Sequence, residues 1–244
     1  MKRTNWIGVP MLALLVSGLA CSLTGWQVVR GSGDVTEEER SVSGFTGVDL
    51  SGVGHVTISL GDEERLIVEA EENLLPYIET EVRGGMLVIG TRDGVNLRPT
   101  RSIEFDLTVT ELDAIEVSGS GEIDGPVLEA DRFTVDISGS GEVDLEGLEA
   151  DTLVVEISGS GGLAIDGGTV REQRITISGS GDYRARELES DLADVKVSGS
   201  GSMTIRVAER LEADISGSGT VRYLGRPAVE QSVSGSGTIE RIAD

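Results

Sequence analysis

The sequence is poor in the residues that most enzymes and metal sites use. It contains one cysteine and one histidine in 244 residues, so no disulfide can form within the chain and a cysteine and histidine metal site is not expected. Aromatic residues make up 3% of the chain, which leaves no obvious platform for stacking sugar rings. These shortages predict a protein without a cofactor and without a dedicated metal site.

Basic residues are also scarce. The chain has 20 Lys and Arg against 43 Asp and Glu, a formal net charge of -23. Such an excess repels phosphate backbones and anionic lipid, so nucleic acid is excluded as a partner and electrostatic docking to a membrane is disfavoured. The 38% of apolar residues are regularly spaced, which indicates a folded core with the acidic residues on its surface.

No apolar run is long enough to cross a bilayer, and the N-terminal run from Ile7 to Val16 is typical of an export signal. Basic residues precede this run, and the small residues that follow end at Ala20. We therefore expect residues 1–20 to be a signal peptide and residues 21–40, rich in glycine, serine and acids, to be a tether.

Cys21 follows Gly18-Leu19-Ala20 and resembles the cysteine of a bacterial lipobox, although the leucine usually stands three residues before the cysteine and here stands two before it. The resemblance implies cleavage before Cys21, acylation of its new N-terminus, and a lipid anchor in the cell membrane or envelope. The alternative is a secreted protein in which Cys21 is unmodified.

Internal repeats dominate the rest of the chain. The tetrapeptide Ser-Gly-Ser-Gly occurs seven times at spacings of 18 to 20 residues, and a degenerate copy begins at Ser51. The seven copies begin at Ser118, Ser138, Ser158, Ser178, Ser198, Ser216 and Ser234. A period near 20 residues is typical of one coil of a solenoid.

Apolar residues alternate with polar ones on both sides of each copy, which is the pattern of a strand with one buried face. Phe133, Val135 and Ile137 precede one copy, while Asp136 between them is expected to face water. Stacking such units gives an all-β parallel β-solenoid of about eight coils over residues 41–244. An inserted segment at about 60–111 is expected to form a small β-meander that caps its N-terminal end. A series of antiparallel hairpins is the alternative fold.

Few motifs suggest chemistry. The Gly-Ser-Gly loops precede strands and lack a suitably placed lysine, so they are not expected to bind phosphate, and their stacked serines are interpreted as structural. The alternation places His55 on the water-facing side, away from any role in serine catalysis. Acidic columns such as Asp136 with Glu156, and Glu122 with Glu142, are interpreted as a solvated face with at most adventitious calcium. No catalytic residues are predicted.

The ordered set of motifs resembles the family described as putative auto-transporter adhesin, head GIN domain. The resemblance rests on residues 42–48, on Glu72-Asn73-Leu74-Leu75 with the strand 86–89, and on 112–121 with its later copies. It implies an extracytoplasmic β-solenoid and an adhesin, and it supplies no catalytic residues.

Three functions remain open. The first is a lipid-anchored surface module that binds an unknown envelope or cell-surface ligand through its acidic flank. The second is a carbohydrate-active enzyme, which would need paired acids in a groove that interrupts the repeat. The third is a structural spacer. We find no cluster that interrupts the repeat, which favours a non-catalytic binding module.

Overall fold

The computed structural model describes residues 27–243, so the predicted signal peptide and Cys21 lie outside the described residues. The strands are β1 (Gln27–Arg30), β2 (Val35–Arg40), β3 (Gly47–Gly52), β4 (His55–Leu60), β5 (Arg65–Glu71), β6 (Ile78–Arg83), β7 (Met86–Thr91), β8 (Val95–Arg98), β9 (Glu104–Val109), β10 (Ala114–Gly119), β11 (Glu122–Gly139), β12 (Glu142–Gly159), β13 (Gly162–Ile165), β14 (Gly168–Gly179), β15 (Asp182–Ala185), β16 (Glu189–Gly199), β17 (Ser202–Arg206), β18 (Arg210–Gly217), β19 (Thr220–Leu224), β20 (Ala228–Gly235) and β21 (Thr238–Arg241). A short 3-10 helix spans Leu75–Tyr77. Within the described part of the chain, no helix has the length and apolarity needed to cross a membrane.

The repeats stack as parallel strands in register. Ser118 pairs with Ser138, Ser138 with Ser158, and the same alignment continues to Ser234. This confirms the parallel β-solenoid, and the alternative of antiparallel hairpins is wrong. We call the strand stack that leads into each Ser-Gly-Ser-Gly corner the pre-corner sheet (β7, β3, β10, the ends of β11, β12, β14 and β16, then β18 and β20). The stack that leaves the corner is the post-corner sheet (β9, β4, the starts of β11 and β12, then β13, β15, β17, β19 and β21).

The core is made of the aliphatic ladders that the alternation predicts. Val117, Ile137, Ile157 and Ile177 occupy equivalent positions and are buried, whereas Asp136, which precedes Ile137 in the chain, is outward and partly exposed. Each such side chain contributes about 1.5 to 3 kcal/mol when it is removed from water. Since each coil alone leaves its apolar edges uncovered, stability comes from stacking.

Glycine at the corner is required by contact between coils. Gly139 has a φ of 136°, and a Cβ placed on it would lie 2.5 Å from the carbonyl oxygen of Gly119 in the preceding coil. Both the backbone angle and the contact exclude a side chain there. The corner is closed by the Ser140 N–H, which donates to the same Gly119 oxygen at 2.8 Å.

The solenoid has about six turns, not the eight expected. Eight corners can be counted in the sequence, but a full turn requires a corner, a third side and a return to the next corner. The degenerate corner at Ser51 is followed by the insertion, and the corner at Ser234 is followed only by β21. Six turns at about 4.8 Å per coil correspond to a rod of about 30 Å.

The inserted segment extends and closes the N-terminal end. β7 and β9 pair in parallel with β3 and β4, so they add a further layer to both sheets. β6 and β5 then pair with them in antiparallel fashion, and β2 pairs with β5. Antiparallel strands at this end replace the open parallel edge with charged strands such as Glu37–Glu39, an arrangement that hinders edge-to-edge association.

Residues 27–40, which belong to the segment expected to be a tether (21–40), contain two strands. β1 pairs with β8, and β2 is the outermost strand of the N-terminal cap. The loop between them is held by Glu71, a side chain with 1% exposure whose carboxylate accepts hydrogen bonds from the Gly33 N–H and from the Thr100 N–H and hydroxyl. These hydrogen bonds, led by that of the Thr100 hydroxyl, lower the pKa of Glu71. The composition of the segment is typical of a linker. The strands with which it pairs, β5 and β8, are distant in sequence, so composition alone does not indicate these pairings.

Candidate functional site: an acidic groove beside the first corner

The post-corner sheet opens between β4 and β11. These strands pair over three positions, from His55 with Glu122 to Thr57 with Asp124, and the pairing ends there. β4 continues along β9 to Leu60, whereas β11 turns at Gly125-Pro126 into the third side of the coil. Proline fixes its own φ and lacks an N–H, so it suits this departure. The turn leaves Ile58 to Leu60 with one edge facing an open groove.

The groove has a volume of about 590 Å³ and combines an apolar floor with an acidic rim. Its lining is Thr57, Ile58, Ser59, Leu60, Asp124, Gly125, Pro126, Asp144, Leu145, Glu146 and Asp166. Leu60 is 53% exposed at one end, and the neighbouring Val127 is 45% exposed. Solvent-exposed aliphatic side chains beside a concave surface are typical of a binding site.

The rim carries four carboxylates from successive coils: Asp124, Asp144, Glu146 and Asp166. Asp144 is partly buried, and its pKa is raised by that burial and by the nearby charges of Asp124, Glu142 and Asp166, while Arg184 opposes the shift. Burial is the largest of these influences on the pKa of Asp144. A positively charged group placed in the groove would favour the ionised form of Asp144.

The groove lies in the most acidic part of the chain. Residues 101–160 contain 16 Asp and Glu against two Lys and Arg, whereas residues 161–220 contain ten against seven. On the pre-corner sheet of the same coils, Glu116 lies between Asp49 and Asp136, and its pKa is raised by partial burial and then by these two neighbours. Negative charge is therefore concentrated on both sides of the first corners.

His55 lies at the N-terminal end of the groove, between two carboxylates. Its Nδ1 is 3.1 Å from Glu104 Oε2 and its Nε2 is 2.9 Å from Asp124 Oδ2. Partial burial is the largest influence on its pKa and lowers it, but the hydrogen bond and charge of Asp124 with the charges of Glu104 and Glu122 outweigh this and raise the pKa. When the imidazole is protonated, both ring nitrogens donate, and His55 then links β4 to β9 and β11.

Three carboxylates beside His55 are close enough to share a cation. Glu122, Asp124 and Asp144 each offer an oxygen, and these oxygens lie within 4.8 Å of one another. Oxygen ligands of this kind suit Ca²⁺, which usually takes six to eight of them. The three are exposed or partly exposed, so they form at most an incomplete coordination shell.

The other residues singled out in the sequence lie elsewhere. The serines at the corners form an exposed column along the rod, as their registers require, and Asp136 and Glu156 stack beside them on the pre-corner sheet. Glu122 and Glu142 stack next to the groove. His55 faces outward as expected, but it is ion-paired and only partly exposed. The prediction for Cys21 falls on a residue outside the described part of the chain.

Sequence reasoning missed the groove as a site. Asp124, Asp144 and Asp166 are spaced at about the repeat period and could be aligned from the sequence alone. The opening itself depends on where β11 leaves β4, and the register of β4 is hidden by the inserted segment. Pro126 was the available signal, since no equivalent proline occurs at the same place in the following coil.

The fold and this site define a class of protein: a parallel β-solenoid with stacked Gly-Ser-Gly corners and an acidic flank. A family model described as putative auto-transporter adhesin, head GIN domain, matches residues 44–227, and the chain belongs to this family. The description of the family as an adhesin suggests a surface or extracellular location. None of the curated proteins matches the chain.

Solved structures from Bacteroides and Parabacteroides species are similar over most of the chain. A putative adhesin from Bacteroides fragilis is 23% identical with a TM-score of 0.82, and the match covers 88% of this chain and 100% of that one. A putative adhesin from Parabacteroides distasonis is 27% identical with a TM-score of 0.69, again over 88% of this chain and 100% of that one. A putative lipid binding protein from the same species is 25% identical with a TM-score of 0.70, over the same shares of the two chains.

Proposed function

We propose that the protein is a non-catalytic binding module displayed on the cell surface, and that its acidic groove binds a positively charged segment of a surface or envelope protein. The observation that carries the proposal is the combination, in one groove, of four rim carboxylates with an aliphatic floor in which Leu60 is 53% exposed. The adhesin description of the family and of two similar structures supports a binding role.

The charge of the groove selects the ligand. Asp124, Asp144, Glu146 and Asp166 would repel a phosphate, a carboxylate or an anionic headgroup, and each would attract lysine or arginine. An exposed ion pair contributes about 0.2 to 1 kcal/mol, so several acting together give a useful part of the binding free energy. Attraction of this kind also speeds association and weakens as salt is added.

The shape of the groove selects an extended ligand. The pairing of β4 with β11 ends at Thr57, which leaves the edge of Ile58–Leu60 facing the groove. An extended peptide can add to such an edge through its backbone, and alternate side chains then point to the floor and to the rim. A segment in which lysine or arginine alternates with an aliphatic residue would satisfy both surfaces.

An enzymatic role finds less support in the groove. Among the described residues, its lining includes no aromatic side chain on which a sugar ring could stack. It also includes no serine paired with a histidine, as acyl transfer would require. The acids of the groove are rim groups that are partly or fully open to water. A passive spacer would not require the acidic and apolar surfaces to coincide.

The proposal can be tested with a simple probe. A blocked hexapeptide of alternating lysine and leucine should bind the chain in isothermal titration calorimetry at low salt, and binding should weaken as sodium chloride is added. The triple variant Asp124→Asn, Asp144→Asn and Glu146→Gln should raise the dissociation constant by about tenfold or more. Absence of binding by the unmodified chain at low salt would refute the cationic ligand.

A matched control separates the groove from overall charge. The variant Glu129→Gln, Asp131→Asn and Asp151→Asn removes the same number of charges from the exposed third side of the coils. It should bind the peptide like the unmodified chain, apart from a small loss at low salt. Equal weakening in both triple variants would show that binding follows net charge, and the groove would then have no specific role.

Display at the surface is a separate part of the proposal and concerns Cys21. Natively expressed protein should carry a lipid adduct in intact-mass analysis and should partition with membranes, and Cys21→Ala should lose both properties. Unmodified, membrane-free protein in both cases would remove the lipid anchor and leave a secreted binding module.

A further inference from the structure

Within residues 27–243, β20 pairs with β18 on one side, and no described strand pairs with its other edge. All eight residues of β20 are exposed, although the equivalent strand one coil below, β18, contributes buried residues. Val229 and Val233 are 39% and 44% exposed, while their partners in β18, Leu211 and Ile215, are buried. The aliphatic ladders of the core therefore continue to this end and are open to water.

The backbone of β20 has hydrogen-bonding groups that point away from the solenoid. In a parallel pair, alternate residues of a strand bond to the same neighbour. The N–H groups of Ala228 and Ser236 donate to Glu209 and Gly217 of the coil below. It follows that the even-numbered residues of β20 face β18, and that the N–H and C=O groups of Val229, Gln231 and Val233 point to the open end.

This edge lacks the protection seen at the other end of the rod. β20 has one charged residue, Glu230, among its eight, whereas β2 at the N-terminal cap has Glu37, Glu38 and Glu39 in succession. Charged side chains discourage association between strand edges, and an exposed edge strand of several residues with apolar side chains and little charge promotes it. The C-terminal edge is thus suited to accept another strand.

We propose that the protein forms a symmetric dimer in which β20 pairs in antiparallel fashion with β20 of a second copy. A two-fold axis through Gln231 places Val229 opposite Val233 of the other copy and Gln231 opposite its equivalent. The outward-pointing N–H and C=O groups of these three residues then meet each other, which is the requirement for hydrogen-bonded antiparallel pairs. The same axis joins the two open cores.

This register is favoured because it keeps the two Glu230 side chains from lying opposite each other. With the axis at Gln231, Glu230 lies opposite Ser232 of the second copy and keeps its own ion pair with Arg210, at 3.2 Å. An axis at Glu230 would place two glutamates opposite each other, and like charges at directly opposed positions are destabilising. Stacking of β20 on the N-terminal cap would bring Glu230 towards further acids. The interface is isologous and closes at two copies.

Gln231→Pro tests the pairing with little effect on the fold. Proline removes the N–H of Gln231, which points to the open end, and it leaves the ladder between β20 and β18 intact; proline is tolerated on edge strands in this orientation. In sedimentation equilibrium the full chain carrying Cys21→Ala should have twice the mass of one chain. Adding Gln231→Pro should raise the dimer dissociation constant by about tenfold or more.

Two comparisons complete the experiment. Ser232→Ala, a neighbouring change on the outward face, should retain the dimer, and Val233→Lys should abolish it by placing an ammonium group against the apolar core of the second copy. Circular dichroism melts of the variants at high dilution should match that of the parent chain. A parent chain that stays monomeric at about 200 μM, an open series of larger species, or an unchanged dimer in Gln231→Pro would each overturn the proposal.

Discussion

Replacing Gly159 by alanine tests the physical basis of the stacked corners. Gly159 has a φ of 131°, and a Cβ on it would lie 2.4 Å from the carbonyl oxygen of Gly139 and 3.2 Å from its carbonyl carbon. Both atoms belong to backbone, so no flexible side chain can move aside. The coils would have to separate, which would lengthen the hydrogen bond from the Ser160 N–H to the same oxygen, now 2.8 Å.

The expected magnitude has two parts. A non-glycine residue at such a φ costs about 1 to 3 kcal/mol. The contact adds the loss of at least one buried hydrogen bond, about 1 kcal/mol, and the disturbed packing of the aliphatic side chains on either side, so the total should reach about 3 to 5 kcal/mol. For a domain of this size, 1 kcal/mol lowers the melting temperature by about 2 to 4 °C, which predicts a decrease of about 10 °C.

Gly94→Ala is the matched control for backbone strain. Gly94 has a φ of 75°, and a Cβ placed on it meets nothing within 4 Å. Its substitution should cost only the conformational part, about 1 to 2 kcal/mol. Thermal and urea unfolding followed by circular dichroism would measure both variants. If Gly159→Ala were no more destabilising than Gly94→Ala, the close contact between coils would not explain the glycine at the corner.

Three further predictions concern other contacts in the solenoid. His55→Gln should lower the free energy of unfolding more at pH 5.5 than at pH 8, by up to about 1 kcal/mol. The pKa of His55 is raised in the folded protein, so its contribution to stability is complete below the pKa of the unfolded chain and is lost as the pH rises through the pKa of the folded protein. Unfolding free energies of both proteins across this range would show the difference, and a gap that widens towards high pH would contradict the assignment. Tyr183→Phe should lower the free energy of unfolding by about 1 to 3 kcal/mol, because the buried Tyr183 hydroxyl donates to Gln173 Oε1 at 2.8 Å. The double variant Tyr183→Phe with Gln173→Leu should lose less stability than the sum of the losses in the two single variants. Additive losses in this double-mutant cycle would exclude a coupled pair. Ile157→Asp should abolish folding or lower the melting temperature more than any other change proposed, because it places an unpaired charge in the core, and an unaltered melt would show that Ile157 does not point inward.

The repeat made most of the fold predictable. Alternation around the corner at Ser138 assigns Val135 and Ile137 inward and Asp136 outward, and the period of 20 places the same residue types one above another. Register in a parallel stack follows from such alignment because a shift by one residue would turn every apolar side chain outward. The number of turns was overestimated because corners are visible in sequence and complete third sides are not.

Departures from the repeat could not be predicted. Gln173 lies in the buried ladder between Leu153 and Ala193, a place where the alternation contains no apolar residue, and its partner Tyr183 follows the next corner. The same applies to β2, whose pairing with β5 brings together residues about 30 positions apart that share no pattern. The groove arises where the pairing of β4 with β11 ends. Sequence patterns indicate which strands pair more reliably than they indicate where a pairing ends.

Hydrogen exchange in the presence of the lysine and leucine peptide tests the central claim most directly. If the groove binds an extended cationic segment, the peptide should slow amide exchange in residues 58–60 and in Asp124 and Gly125, with a smaller effect on 144–146, and leave the corners and the third side unchanged. Protection spread over acidic surfaces such as the column of Asp136 and Glu156, or no protection in 58–60 at saturating peptide, would contradict it.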